Sequence, residues 1–514
     1  MASPKILFLC NSDYGQANIY LATIYALLEA DASVEVHVGA FGPMEGMVDE
    51  TNRMIADVLT SRAKIVFHRI EGDSQFAAMT RPESGIMQSW ELPLPSMAST
   101  MQFLRIFPNG SVPWTPEEFA AIYEQIKNII KEVQADFTVV DCLFAPGLTL
   151  AFQLKLRWTI LSPNTIKDFA AIHQPYLAGL WKYPVLGSGF AFPIPPHQVP
   201  MNICLNLILA FAVLASDRVQ VTTKYLRDRT GDPDLNLITM AEVGIVTPPP
   251  PGVRLMVAMS EDLDYPFAKI PDFLVPLGPI VRPFDRLVER DKELAGWLSR
   301  GPTLYVNLGT QMALTSSEAL EMALALKDVL DGADKLGYGG ERKLQIIWKL
   351  KRKPTNQQSV DVSEDPEWPG DWEAVRDVFI DEMETDRMRI TGWIKVNPNS
   401  ILQSGHVICS LHHGGANSWA EATCAGVPQV IVSAWIDCHD FGNRIQLARA
   451  GIWANKKSMP RWSRLELGDA LKAVILGPDA EEFHETARRI SRIHPANAGR
   501  DKAASIIMAQ LNSS

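Results

Sequence analysis

The sequence predicts an α/β protein made of two domains of the nucleotide-binding type, each built on a mainly parallel sheet. Three observations carry this expectation. The 514 residues exceed what one hydrophobic core usually organises. Short apolar runs of strand length alternate with helical patterns. The alternation also restarts after a proline-rich stretch that begins near residue 276.

The first series reads KILFLC (5–10), a helix near 17–30, VEVHVGA (34–40), a helix near 44–58 and KIVFHRI (64–70). Thr115-Pro116-Glu117-Glu118 joins a capping box to a proline at the first helical position, so a helix is expected over 116–134. It leads into the strand FTVVD (137–141), and WTILS follows at 158–162. Between 164 and 200 the pattern gives way to Pro, Gly and aromatic residues, as binding loops do. CLNLILAFAVLA (204–215) is apolar but falls short of the roughly twenty residues of a membrane span, so a buried helix is expected. RLMVAMS (254–260) is the last strand expected before the linker.

The second series contains LYVNLGT (304–310), a helix over 316–331, QIIWKL (345–350) and a charged segment (351–386) expected as surface loop with a helix. ITGWI (390–394), VICSLH (407–412), a helix from Asn417, VPQVIV (427–432) and helices to the end complete it. The expected division is a first domain over 1–275, a linker over 276–300 and a second domain over 301–514, its last helix placed to return to the first domain. Two such domains facing each other form a cleft, where small ligands bind.

Composition narrows the partners. An apolar fraction of 47% with 21% charged residues suits a globular protein. The net charge of −11, with no basic run among aromatics, argues against nucleic acid. Six cysteines without a CxxC pair fit neither a zinc site nor a disulfide framework, so a reducing, cytoplasmic location is expected. The first apolar run is too short for a signal peptide and AQLNSS is no apolar tail, so no stable membrane anchor is expected.

The densest chemistry lies in HHGGANSWAE (412–421). A glycine-lined turn between a strand and a helix aims free backbone N–H groups and the positive helix end at one point, which makes an anion site. His413 beside Gly415 can donate to a phosphate oxygen, Asn417 and Ser418 can add side-chain donors, and Glu421 can accept from ribose hydroxyls. The alternative is that Asn417 only caps the helix and the histidines only pack.

H-x-G-x-N-S-x-x-E followed by G-V-P resembles the donor motif of UDP-dependent glycosyltransferases with the GT-B fold, and the fragments SDYGQANIYLA and YPVLGSGFAFP look most like fungal members. The resemblance implies that Trp393 stacks uracil, that Gly309 and Thr310 end a phosphate-facing strand, that Leu402 keeps the motif's spacing and that Asp437 meets sugar hydroxyls. It covers 300–455 well and the first domain loosely. Three departures stand out: Cys438 replaces the usual Gln or His, two extra residues lie between Trp393 and Leu402, and Ala416 stands where plant members carry tryptophan. The UDP half is thereby implied, with glucose expected from family frequency alone.

In that family a histidine in the loop after the first strand takes the acceptor's proton, and an aspartate orients it. Here the matching position is Gln16, which cannot act as a base, while Asp141 stands at the aspartate's place. Asp13, Asp141 directly or through water, or His173 in the long loop could accept the proton instead. Alternatively the acceptor is acidic in itself, since a phenol has a pKa of about 10. A small phenolic or polyketide-like acceptor is therefore expected, with Gln16 orienting it. His173, Trp181, Tyr183, Phe190 and Trp90 are the candidate acceptor residues, with Met87, Phe103 and Phe192 beside them. Asp262-Leu263-Asp264 superficially matches the metal motif of another glycosyltransferase fold, but the anion site already serves the diphosphate, so no metal or cofactor is expected. The expected activity is inverting hexosyl transfer from a UDP-sugar. The alternatives are C-glycosylation, UDP-sugar epimerisation, or UDP-sugar binding without catalysis.

Overall fold

A computed structural model describes residues 3–58, 64–353 and 368–513. It contains two parallel sheets. The first comprises β1 (Lys5–Leu9), β2 (Glu35–Phe41), β3 (Ile65–Ile70), β4 (Phe137–Asp141), β5 (Trp158–Ser162), β6 (Leu255–Val257) and β7 (Leu274–Pro276), in the order β3-β2-β1-β4-β5-β6-β7. The second comprises β8 (Thr303–Asn307), β9 (Gln345–Lys349), β10 (Met388–Thr391), β11 (Val407–His412), β12 (Gln429–Ile431) and β13 (Gly451–Trp453), in the order β10-β9-β8-β11-β12-β13. Chain order reverses between β1 and β4 in one sheet and between β8 and β11 in the other. In such sheets the crevice beyond the strand ends at the reversal is where ligands bind.

Apolar strands covered on both faces explain the sequence pattern. Phe137–Asp141 and Thr303–Asn307 are buried throughout, as expected of central strands between helical layers. The capping box at Thr115 and Glu118 forms and starts the helix Pro116–Val133. A second box, Thr315 with Glu318, starts the helix Ser316–Leu336, which continues past the expected end to Gly337 at φ 60°. β7 and β13 are three residues each and were not expected as strands. Of the charged segment 351–386, residues 354–367 lie outside the described residues, and the remainder carries the short helices Glu373–Asp377 and Ile380–Glu384.

One expectation is overturned. The apolar segment 204–215 belongs to a helix, Val199–Leu214, in which only Asn202 and Leu205 are buried. Its uniform apolarity has no helical periodicity, so nothing in the pattern marks which face is covered. The last helix, Ala498–Asn512, packs on the first sheet: Ala503, Ala504, Ile507 and Leu511 share a core with Ile6, Phe8, Tyr20 and Ile24. Lys502 Nζ and Arg500 Nη1 hold it to the carbonyls of Pro276 and Val281.

A buried polar network joins the domains. Arg444 donates through Nε to Asp264 Oδ1 at 2.8 Å and through Nη2 to Thr165 Oγ1 at 2.9 Å. Asp440 accepts from the Tyr265 hydroxyl at 2.6 Å and pairs with Lys167. The helix Cys438–Leu447 is thus fixed against the first domain, and Asp437 stands at its N-terminus.

Candidate functional site

The two reversal points face each other. Asn417 Nδ2 donates to the Tyr14 carbonyl at 2.9 Å, joining the first turn of the helix Ala416–Ala425 to that of the helix Tyr14–Ala30. Gly415, not Asn417, is the N-cap, so the Asn417 side chain is not used to cap its own helix.

Glycines make room for the His413 ring. A Cβ at Gly309 would come within 2.7 Å of its Cε1, and one at Gly415 within 2.4 Å of its Nε2. The ring also lies 5.4 Å from that of Trp435. Burial, with the neighbouring His412 and Lys349, lowers the His413 pKa to about 3. The ring is therefore neutral at pH 7, and its Nδ1 is buried without a protein partner. A buried polar nitrogen left open within a glycine-lined turn suits a ligand oxygen.

Lys349, at the end of β9, was not anticipated as a site residue. Its Nζ donates to the Gly309 carbonyl at 3.2 Å and sits 4.2 Å from the Trp393 ring centroid. Burial and the nearby Lys351 lower its pKa to about 8. Lys351 in turn donates to the Thr310 carbonyl at 2.6 Å. Both lysines thus stand at the strand end expected to face phosphate. Glu421 is half-buried, and burial raises its pKa to about 8. Burial likewise raises Asp437 to about 7. Ser418 is half-buried in the same first turn as Asn417. Cys438 is fully buried, and the Gly414 position lies against its backbone carbonyl and Cβ. Leu402 belongs to a core cluster with Ile401 and Val427.

Across the cleft, Asp141 is fully buried at the end of β4, and burial raises its pKa to about 6. Its Oδ2 accepts from the backbone N and the Nδ2 of Asn11, each at 3.3 Å, and its Oδ1 from Leu143 N at 2.9 Å. Asn11, a second residue not anticipated, is therefore the side chain that meets Asp141. Asp13 and Gln16, expected in a loop, are the N-cap and a first-turn residue of the helix Tyr14–Ala30. The Gln16 Oε1 is buried without a partner. Asp13 accepts from the Ser74 hydroxyl at 3.1 Å and from Phe76 N at 3.3 Å, and burial raises its pKa.

Of the five acceptor candidates, Trp90 stands at the donor site. It stacks on Trp435 at 5.5 Å, and its indole nitrogen is buried without a partner. With Phe103, Trp435, Ile436 and His439 it lines a pocket between the domains. Phe190 is buried in the apolar cluster behind Trp90. Tyr183 stacks on Phe192 and Phe267 and donates its hydroxyl to the Pro266 carbonyl. His173 bonds the Gly244 carbonyl and meets Phe273, while Trp181 is exposed on the outer surface. Met87 is exposed as well. Asp262 pairs with His494 and Asp264 with Arg444. Among the described residues no group of three or more His, Cys, Asp or Glu is placed to hold a metal ion.

Residues 383–491 match the family model of the erythromycin biosynthesis protein CIII-like C-terminal domain. The chain is 27% identical over 461 residues to the glycosyltransferase sdnJ of Sordaria araneosa, covering 88% of this chain and 84% of that one. It is 22% identical to erythritol-mannosyl-transferase 1 of Mycosarcoma maydis, covering 97% and 90%. The fold is similar to that of a UDP-glucosyltransferase from Polygonum tinctorium capable of glucosylating indoxyl. The TM-score is 0.60 at 14% identity, over 99% of each chain.

Proposed function

Because the chain is a glycosyltransferase of the UDP-sugar type with the GT-B fold, we propose that it transfers a hexose, glucose in the first instance, to the hydroxyl of a small phenolic or polyketide-like acceptor with inversion at the anomeric carbon. The observation that carries this reading is the Asn417–Tyr14 contact, which brings the anion-binding turn against the helix start that holds Asp13 and Gln16.

The diphosphate lies at the N-terminus of the helix Ala416–Ala425, where the backbone N–H groups, His413 and Ser418 face the charge that develops on the leaving UDP. Uracil stacks on Trp393, and Lys349 turns from the Gly309 carbonyl to a diphosphate oxygen. Glu421 takes the ribose hydroxyls and Asp437 the sugar hydroxyls. Their raised pKa values reflect burial that Arg282 and Lys349 near Glu421, and Arg444 near Asp437, only partly offset, and hydroxyl donors suit such carboxyls. On the acceptor side, a flat apolar ring rests on Trp90, and Gln16 orients its hydroxyl. Asp13, the N-cap of the helix Tyr14–Ala30, accepts the proton. Asp141 holds Asn11 and the loop after β1 in place. No metal takes part in this scheme.

The deciding assay is hexose transfer in the presence of a chelator, comparing UDP-glucose with UDP-galactose, UDP-mannose and UDP-N-acetylglucosamine. Transfer from UDP-glucose with the β-linked product supports the reading. Release of an epimer without acceptor, or UDP binding with no transfer from any donor, overturns it.

A further inference from the structure

The helix Val199–Leu214 and the turn preceding it form an exposed apolar ridge on the first domain. Leu207, Phe211 and Leu214 are spaced one helical turn apart and are 55%, 74% and 69% exposed. Tyr176, Leu177 and Trp181 stand out from the neighbouring turn at 92%, 73% and 43%. The two segments are tied together, because Asn202 and Asn206 both donate to the Leu180 carbonyl. Tyr176 and Leu177 have φ of 57° and 54°, a backbone region that bulky residues seldom occupy, and it holds both side chains outward. A cluster of this kind marks an interaction surface, unlike single scattered apolar residues.

The chemistry of the ridge selects the occupant. No residue from Val199 to Leu214 is charged. The Trp181 indole N–H is already bonded to the Tyr176 carbonyl and the Asn206 amide to the Leu180 and Asn202 carbonyls. Of the six exposed side chains, only the Tyr176 hydroxyl remains to hydrogen-bond a partner. A protein partner ordinarily makes about one hydrogen bond per 100–200 Å² of interface. A second copy, like an anionic lipid surface, meets a chain of net charge −11 with the same sign. Hydrocarbon beneath zwitterionic headgroups asks for neither bonds nor charge.

Length decides how the helix meets the bilayer. Pro196–Thr230 contains a stretch apolar and long enough to cross a membrane by composition alone, but the apolar helix within it is 16 residues. At 1.5 Å per residue that is about 24 Å, against about 30 Å of hydrocarbon. Buried Asn202 and Leu205 also keep it attached to the domain. We propose that the ridge of Tyr176, Leu177, Trp181, Leu207, Phe211 and Leu214 docks the protein onto a zwitterionic phospholipid surface, with the helix lying in the interface.

The opposite face of the helix contributes Met201, Leu205 and Ile208 to the cluster that contains Trp90, Phe103 and Ile436. Docking therefore places the acceptor side of the cleft at the bilayer. This consequence rests on the proposed function, whereas docking itself does not.

The test is flotation of the purified full chain with phosphatidylcholine vesicles, which requires no turnover. The native chain floats, and the triple variant Leu207→Ser, Phe211→Ser, Leu214→Ser partitions at least tenfold less. Leu465→Ser, a comparably exposed leucine in the second domain, floats like the native chain. A matching melting temperature shows that the triple variant is folded, and Phe211→Ser alone gives the same reading in smaller measure if it is not. A native chain that stays unbound, a triple variant that floats equally, or binding only to phosphatidylserine vesicles overturns docking. So does a native dimer seen by light scattering that the triple variant abolishes while neither floats.

Discussion

Asn417 of the second domain donates its side-chain amide to the backbone carbonyl of Tyr14 in the first, at 2.9 Å. The bond joins the starts of two helices whose N–H groups face one cleft. A net hydrogen bond contributes about 0.5–1.5 kcal/mol, so Asn417→Ala is expected to lower kcat/KM by up to about tenfold. Asn417→Asp should be worse, since a carboxylate would oppose both the Tyr14 carbonyl and the diphosphate. Steady-state kinetics of the two variants checks the order.

His413→Ala should reduce kcat by about 10²–10³, the usual cost of removing one preorganised donor to a developing charge. The folded pKa of about 3 lies below the unfolded value. The unfolded chain therefore holds a proton that the folded chain lacks between about pH 6.5 and 3. Stability falls as pH drops through this window, and the variant should flatten that fall. Unfolding titrations at pH 4–7 measure it.

Glu421 has the opposite sign. Its folded pKa of about 8 exceeds the unfolded value, so the folded chain holds the extra proton and loses stability as pH rises through the window. Glu421→Gln should remove up to about 1.5 kcal/mol of pH dependence between pH 6.5 and 8. The same change should raise KM for the UDP-sugar, because the ribose hydroxyls lose their acceptor. Stability gained at pH 8 together with unchanged KM would contradict the ribose role.

Lys349→Met is expected to weaken UDP binding by about tenfold, in line with one charge-assisted hydrogen bond. With a pKa of about 8, the free lysine loses its charge as pH rises. UDP affinity should thus decline between pH 7.5 and 9.5 in the native chain and decline less in the variant. Calorimetry at three pH values separates the two.

Much of this was legible in the sequence, and the gaps have physical causes. Alternating apolar runs announced two parallel sheets, and the Thr115 capping box announced its helix. β7 and β13, three residues each, are too short to show a period. The ridge helix has no polar face to betray its orientation. The turn around His413 could be read because glycines, a histidine and an amide adjoin in sequence. Asn11 lies 130 residues from Asp141, and Lys349 ends an ordinary strand, QIIWKL. Only the β1/β4 and β8/β9 neighbours in the sheets bring these two to the site.

The proposed hexosyl transfer to an acidic hydroxyl takes place in a cleft that carries Gln16 where a basic histidine is expected. UDP release from UDP-glucose should therefore be measured across phenols of graded acidity beside aliphatic alcohols, with Asp13→Asn in parallel. Release with phenols is expected, accompanied by a glycosylated product, with little or none from aliphatic alcohols and a loss in Asp13→Asn that shrinks as the phenol becomes more acidic. Equal rates with phenols and aliphatic alcohols, or UDP binding without release from any phenol, would contradict it.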